Sequence, residues 1–372
     1  MSDFDYAARL ERLRTLGQQR DLDAVALVPG ANMVYFTGLH FHLSERPTIA
    51  LVLSGGGTAF IVPQLEVSKV EASRDVLDVR EMFVWSDTDG YEGAFQQAAA
   101  GLGLRGGVLG VDGMTMRVFE WLAFSAAAPG LHVAGMGPDL LGLRAVKTAA
   151  EIERMRQAVQ ISEQALTETL AQTQPGMSER QIAKILDERL SANGSQGHAF
   201  SPLVLAGAKS AIPHGVTGDD KLSADDFLLF DFGGMIDGYP ADITRTFCLG
   251  TPTDEMGAIY QAVLRANEAA RLAVRPGATA GDIDQAARQE IEAAGYGEYF
   301  VHRTGHGLGL DVHELPNISQ GDETELTEGM VFTIEPGVYL PNVGGVRIED
   351  DMVVTEDGGE SLTTFPRRLT VG

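Results

Sequence analysis

The chain has 372 residues, 44% of them hydrophobic and 22% charged, with a net charge of −24 from 52 acids against 28 bases. That length suits about two ordinary globular domains. The charge argues against nucleic acid or an anionic membrane as partner, because either needs clustered Lys and Arg. A single cysteine, Cys248, excludes an internal disulfide and any Cys-rich zinc module.

The opening MSDFDYAARLERLRTLG is acidic and then amphipathic, lacks the apolar stretch and cleavage site of a signal peptide, and no later run approaches a membrane span. A soluble, cytoplasmic protein is expected. Tyr6 to Leu16 repeats leucine at helical spacing, and Ala24 to Val28 is a β-branched burst. Asn32 to Gly38 reads as a short helix capped by Asn32 and closed by Gly38. His40, His42 and Arg46 follow in a loop. They read as ordinary loop residues, or as the lining of a pocket shared with a second domain, in preference to a metal site. Thr48 to Leu53 and Ala59 to Val62 flank SGGGT as a hairpin. Tyr91 to Leu102, Val108 to Val111, Met114 to Phe124 and Leu131 to Ala134 continue the alternation. An α/β domain with mixed strand pairing is expected, and it contains no acid cluster, phosphate loop or nucleophile elbow.

The pattern changes near Leu143 to Lys147, where a long helix, Glu151 to Leu170, begins. This divides the chain into domains at 1–146 and 147–372. The second domain carries an internal duplication. QPGMSERQIAKILDERLSANG, from Gln174 to Gly194, matches RPGATAGDIDQAARQEIEAAG, from Arg275 to Gly295, and Pro175 to Pro276, Ile182 to Ile283 and Gly194 to Gly295 all shift by 101. Both copies open with capping-box spacing, Ser178 with Gln181 and Thr279 with Asp282.

Between the copies, FDFGGMIDGYPADITRTF aims two acids at one place. Asp231 ends an apolar run and Asp242 follows a Gly-Tyr-Pro turn, as expected of adjacent strands whose facing side chains sit roughly 5 Å apart. Carried forward by 104, Asp231 falls on Glu335; carried forward by 107, Asp242 falls on Glu349. Four carboxylates related by a pseudo-twofold would then converge. Such a cluster repels itself unless protons or cations intervene, and two divalent metals about 3.5 to 4 Å apart would resolve it. HRTGHGLGLDVHE supplies histidines at His302, His306 and His313 for a nitrogen ligand. Carboxylates with one imidazole suit Mn, Co or Fe(II), then Zn, better than Cu. His214, in IPHG, reads equally well as a substrate donor and as a satisfied core residue.

PHG, FDFGG with ADITRTF, HRTGHGLGLDVHE, TIEPGVY and GVRIED together resemble the pita-bread metallopeptidases, which include prolidase, aminopeptidase P and methionine aminopeptidase. The resemblance runs from Lys147 to the C-terminus, and NMVYFTG makes the first domain similar to the smaller domain of the prolidase and aminopeptidase P branch. It implies an α/β (α+β) protein, a creatinase-like α/β domain followed by a pita-bread domain. It implies that Asp231 binds one metal, His306 and Glu335 the other, and that Asp242 and Glu349 bridge both, with Mn as first expectation and Co or Zn as alternatives. A water activated by the cations would be the nucleophile, with Glu335 taking its proton. His214, His302, His313, Tyr339 and Arg347 would lie on the substrate side, with His214 and His313 steadying the oxyanion. A homodimer is the implied assembly.

The expected activity is hydrolysis of short proline-containing peptides, first as an Xaa-Pro dipeptidase. Xaa-Pro aminopeptidase or release of a C-terminal residue would use the same centre with a differently blocked groove. His40 and Arg46, on the same chain or a neighbour's, are candidates for holding a dipeptide's carboxylate. A two-metal phosphoesterase would favour more cations near the acids than Arg245 and Arg347, and a binding scaffold would not need two metals.

Overall fold

The computed structural model describes residues 4–370. The chain divides into two compact units, the first running to Arg144 and the second beginning at Ala145.

The first unit alternates helices and strands: α1 (Tyr6–Gln19), β1 (Ala24–Leu27), α2 (Ala31–Thr37), β2 (Ile49–Leu53), β3 (Thr58–Pro63), α3 (Val67–Glu71), β4 (Val79–Trp85), α4 (Glu92–Gly101), β5 (Val108–Val111), α5 (Val118–Ala127), β6 (His132–Gly135) and α6 (Gly137–Ala145). The strands form one six-stranded sheet in the order β4-β3-β2-β1-β5-β6. The pair β2 and β3 is the expected hairpin, while β1 with β5, β5 with β6 and β3 with β4 run parallel, giving a mixed sheet.

Two local expectations for this unit are corrected. Asn32 does not cap α2: the cap position is Gly30, and Asn32 lies inside the helix, where its side chain donates to Asp112 and accepts from Arg144. Gly38 does close it, in the left-handed region at φ 68°. The fifth helix starts at Val118 instead of Met114 because Asp112 turns the chain first. Its Oδ1 accepts the Met114 N–H and its carbonyl the Met116 N–H, and Arg117 with Glu120 forms the cap.

The second unit runs α7 (Ala149–Leu170), α8 (Glu179–Ala192), β7 (Leu203–Ala206), β8 (Leu228–Phe232), β9 (Met235–Ile236), β10 (Tyr239–Pro240), β11 (Ile243–Phe247), α9 (Asp254–Ala273), α10 (Ala280–Ala293), β12 (Gly305–Gly307), β13 (Glu314–Ile318), β14 (Val331–Ile334), β15 (Gly337–Leu340), β16 (Gly344–Arg347), β17 (Asp350–Thr355) and β18 (Gly358–Ser361). The duplication is visible in this order. Helices α8 and α10 have 14 residues each, and both carry complete capping boxes at Ser178 and Thr279. Antiparallel β7, β8 and β11 form one sheet, and β12, β14 and β17 form the matching centre of another, extended by β13 and β18.

Each sheet packs its own helix pair. Leu166, Ile182 and Leu186 meet Val204, Leu228, Phe230 and Phe232 in one core. Ile259, Val263, Ile283 and Ala287 meet Phe332, Ile334 and Met352 in the other. Because strand side chains alternate, the odd-numbered neighbours in β8 and β14 face away from the helices. Among the described residues no helix is long and apolar enough to cross a membrane.

Candidate active site

The alternation that buries Phe230 and Phe232 sends Asp231 to the opposite face of its sheet, and Asp242 joins it there. The register refines the sequence expectation. The residue facing Asp231 is Thr244, so Asp242 sits diagonally, one step beyond Ile243↔Phe232. Nor is the reversal at Gly-Tyr-Pro. It lies at Asp237 and Gly238, both with positive φ, between β9 and β10, as a two-residue hairpin loop requires. In the second half, the positions just beyond the pair Ile334↔Asp350 are Glu335 and Glu349, so that pair lies directly across.

The two halves differ at one strand position. Phe332 corresponds to Leu228 in the duplication, and they pair with Gly307 and Ala206 respectively. The counterpart of His306 in the first half is therefore Leu205, a fully buried apolar residue packed under Gly215, where a Cβ would fall 2.8 Å from Leu205 Cδ1. At this strand position only the second half carries an imidazole.

A cavity of about 610 Å³ gathers Asp231, Asp242, His306, Glu335 and Glu349 with His214, His302, His313, Tyr339 and Arg347. Phe200, Pro213, Arg303 and Val312 also line it. His40 and Arg46 are not among the lining residues. They belong to the first unit, where Arg46 makes a bidentate pair with Asp87 at 3.0 and 2.9 Å and contacts Glu45 at 2.6 Å.

The acids are crowded and largely buried. Burial, reinforced by Glu349, Asp231, Asp351 and Glu335, raises the Asp242 carboxyl well above its ordinary value, and burial with Glu335 and Asp231 does the same to Glu349. Burial lifts Glu335 to about 7 against the pull of Arg347. His306 goes the other way: burial, with His313 and Arg303 nearby, lowers it to about 3 against the backbone carbonyls of Gly307 and Val312, so the ring is neutral.

This arrangement fits a metal. His306 Nδ1 lies 3.2 Å from the Gly307 carbonyl, which can only accept, so Nδ1 carries the proton and Nε2 presents a lone pair. That lone pair stands 3.5 Å from Glu335 Oε1 and 3.7 Å from Asp242 Oδ2. Ligand atoms of Asp242, His306 and Glu349 all lie within 4.8 Å of one another. Acceptors facing acceptors are repulsive until a cation sits between them.

A second set of contacts holds the frame. Arg347 donates from Nη2 to Asp231, from Nη1 to the Tyr339 hydroxyl at 2.9 Å and from Nε to Thr244 Oγ1 at 3.1 Å, and Thr244 in turn donates to Glu349. Tyr339 donates to His302 Nε2 at 2.8 Å, and His302 Nδ1 donates to the Arg303 carbonyl at 2.7 Å. His302 is lowered to about 4, chiefly by burial, and stays neutral. Sequence reasoning singled out these histidines but not Arg303, although it adjoins His302 in the same glycine-rich stretch. Phe200, Pro213 and Val312 left no periodic signal that could have marked them.

Residues 153–356 match the model of metallopeptidase family M24, and residues 9–146 match the creatinase/prolidase N-terminal domain. An Xaa-Pro dipeptidase from Pyrococcus furiosus is 34% identical over 369 residues, covering 97% of this chain and 99% of the relative. A prolidase structure from Thermococcus sibiricus superimposes with a TM-score of 0.93 at 33% identity, covering 99% and 100% of the two chains. An X-Pro aminopeptidase structure from Thermotoga maritima gives 0.84 at 33% identity, covering 97% and 99%. The matched region contains the whole acid and imidazole cluster, and the unit before it matches the companion domain. This chain belongs to metallopeptidase family M24, its catalytic unit preceded by a creatinase/prolidase N-terminal domain.

Proposed function

We propose that the chain is an Xaa-Pro dipeptidase working as a homodimer with two divalent cations, Mn first and Co or Zn as alternatives. Asp231, Asp242, His306, Glu335 and Glu349 would hold the cations. The observation that carries this reading is the neutral His306, whose Nε2 lone pair faces Glu335 and Asp242 at 3.5 and 3.7 Å beside the buried Glu349. Relatives named Xaa-Pro dipeptidase and prolidase support the substrate class. When bound, the cations supply Lewis acidity and a water that is nucleophilic at neutral pH.

The chain's own residues do the rest. Glu335, partly buried and lifted to about 7, is suited to accept a proton from the attacking water and return it to the leaving proline nitrogen. His313 and His214 line the cavity as N–H donors to the developing oxyanion, where one donor is worth about 3 kcal/mol. Arg347 fixes Asp231 directly and Glu349 through Thr244, so the acids keep their places as substrate enters. Proline makes the scissile amide tertiary, with fixed φ and no N–H. Phe200, Pro213 and Val312 offer apolar surface to its ring.

The test combines metal analysis with a peptide panel. Mass spectrometry of Ala-Pro, Ala-Pro-Ala and longer peptides, with Mn, Co or Zn, should show Ala-Pro cleaved fastest by protein holding about two metals per chain. Asp242→Asn should lower metal content and abolish turnover. Full activity in chelated protein would defeat the reading. Preference for Ala-Pro-Ala would favour an Xaa-Pro aminopeptidase, the activity named for the Thermotoga maritima neighbour.

A further inference from the structure

We propose that Arg303 binds the free carboxylate of the dipeptide's C-terminal residue, with Asn317 setting its orientation; this rests on the dipeptidase reading above. Two arginines line the cavity, and they differ in what they have left to give. Arg347 is 4% exposed and committed to Asp231, Tyr339 and Thr244. Arg303 is half-buried, donates from Nη1 to Asn317 Oδ1 at 2.7 Å, and has no carboxylate within ion-pair distance among the described residues. Its Nε and Nη2 edge remains for a planar anion, the geometry in which a guanidinium binds a carboxylate with two parallel hydrogen bonds.

Its placement is set by the sheet. Asn317 on β13 is the cross-strand partner of His306 on β12. Their side chains share a face, with Cβ atoms about 5 Å apart. The guanidinium held by Asn317 is thus about one side chain away from the imidazole at the acid cluster. In an Xaa-Pro dipeptide the scissile carbonyl carbon and the carboxylate carbon are joined by only three covalent bonds. A cation this near the cluster can reach the carboxylate while the carbonyl lies at the acids.

The same placement selects for length. In a longer peptide the carboxylate at this position becomes an amide, and Arg303 is left partly desolvated without its anion. Arg46 is a poorer anchor because Asp87 and Glu45 already neutralise it.

The test is steady-state kinetics on Ala-Pro and Ala-Pro amide, with calorimetric titration of L-proline as a binding readout independent of turnover. In Arg303→Ala, KM for Ala-Pro should rise about 10- to 100-fold, L-proline binding should weaken in proportion, and kcat should change far less. The preference for acid over amide should collapse, an effect that a bracing role alone would not produce. Arg303→Lys should recover part of the loss, and Asn317→Ala should raise KM for Ala-Pro in the same direction. Thermal melts run beside the kinetics; if Arg303→Ala does not fold, Arg303→Lys and Asn317→Ala decide by the acid-to-amide ratio. If the wild type cleaves Ala-Pro but the variants match its KM and its L-proline affinity, the proposal is overturned alone. A wild type that cleaves Ala-Pro-Ala and ignores Ala-Pro overturns the dipeptidase reading with it.

Discussion

Replacing Lys147 by Met should destabilise the protein more than most single substitutions. Lys147 Nζ lies 3.0 Å from Glu314 Oε2 and donates to the Ala145 carbonyl at 3.2 Å, and both side chains of the pair are 1% exposed. Glu314 organises the loop before it. Its Oε1 accepts the Asp311 N–H at 3.1 Å, and a Cβ on Gly309 would fall 2.4 Å from its Oε2. Lys147→Met removes one partner of this buried ion pair, a change that costs about 3–5 kcal/mol. At roughly 2–4 °C per kcal/mol for a unit of this size, Tm should fall by roughly 6–20 °C. The assay is calorimetry on chelated protein, so that metal binding does not mask the loss. The double variant Lys147→Met/Glu314→Leu should recover most of the stability, because an apolar pair of similar volume replaces both buried charges together. A loss below about 1 kcal/mol, or a double variant no better than the single, would refute the reasoning.

Two further outcomes follow from the acid cluster. In chelated protein the carboxyls of Asp242, Glu349 and Glu335 titrate above their unfolded values, so the folded state holds extra protons as pH rises from about 4.5. Their contribution is present in acid and lost as pH rises through about 7, where Glu335 titrates. Tm of the chelated protein should therefore fall between about pH 5 and 8, and added Mn should restore more at the alkaline end, where the ligands are deprotonated; a flat or rising profile would count against it. Gly233→Ala would place a Cβ 1.6 Å from the Ala241 carbonyl oxygen, forcing apart the strands that carry Asp231 and Asp242. We expect a loss of at least about 3 kcal/mol by thermal melting, together with reduced metal content; a variant with wild-type Tm would contradict the close approach.

The duplicated helices were legible because Pro-Gly, a capping residue and an apolar period recur at a constant shift, a purely local pattern. Asp231 and Glu335 could be related for the same reason, since each follows an apolar strand whose alternation decides its face. Cross-strand register was not local, so Thr244 rather than Asp242 proved to face Asp231. Asn32 looked like a cap because Asn favours that position, but its amide is taken by Asp112 and Arg144, distant in sequence. Lys147 read only as a boundary marker; nothing near it announces a partner at Glu314, 167 positions away. Arg303 is easily overlooked because histidines dominate its neighbourhood, and only in three dimensions is it seen that Asn317, and no carboxylate among the described residues, pairs with it.

The hydrogen bonds from Arg347 through Tyr339 and His302 to the Arg303 carbonyl have a fixed polarity. A guanidinium stays protonated and a peptide carbonyl cannot donate, so neither end allows the protons between them to be redirected. The series can conduct nothing; it is a strut and not a proton wire. In the proposed mechanism, protons released during turnover would leave through Glu335 or the exposed His214 and His313. The strut's contribution is that the ring of His302 and the backbone of Arg303 are held at a set distance from Asp231 before any substrate arrives, so that little ordering entropy is left for binding to supply.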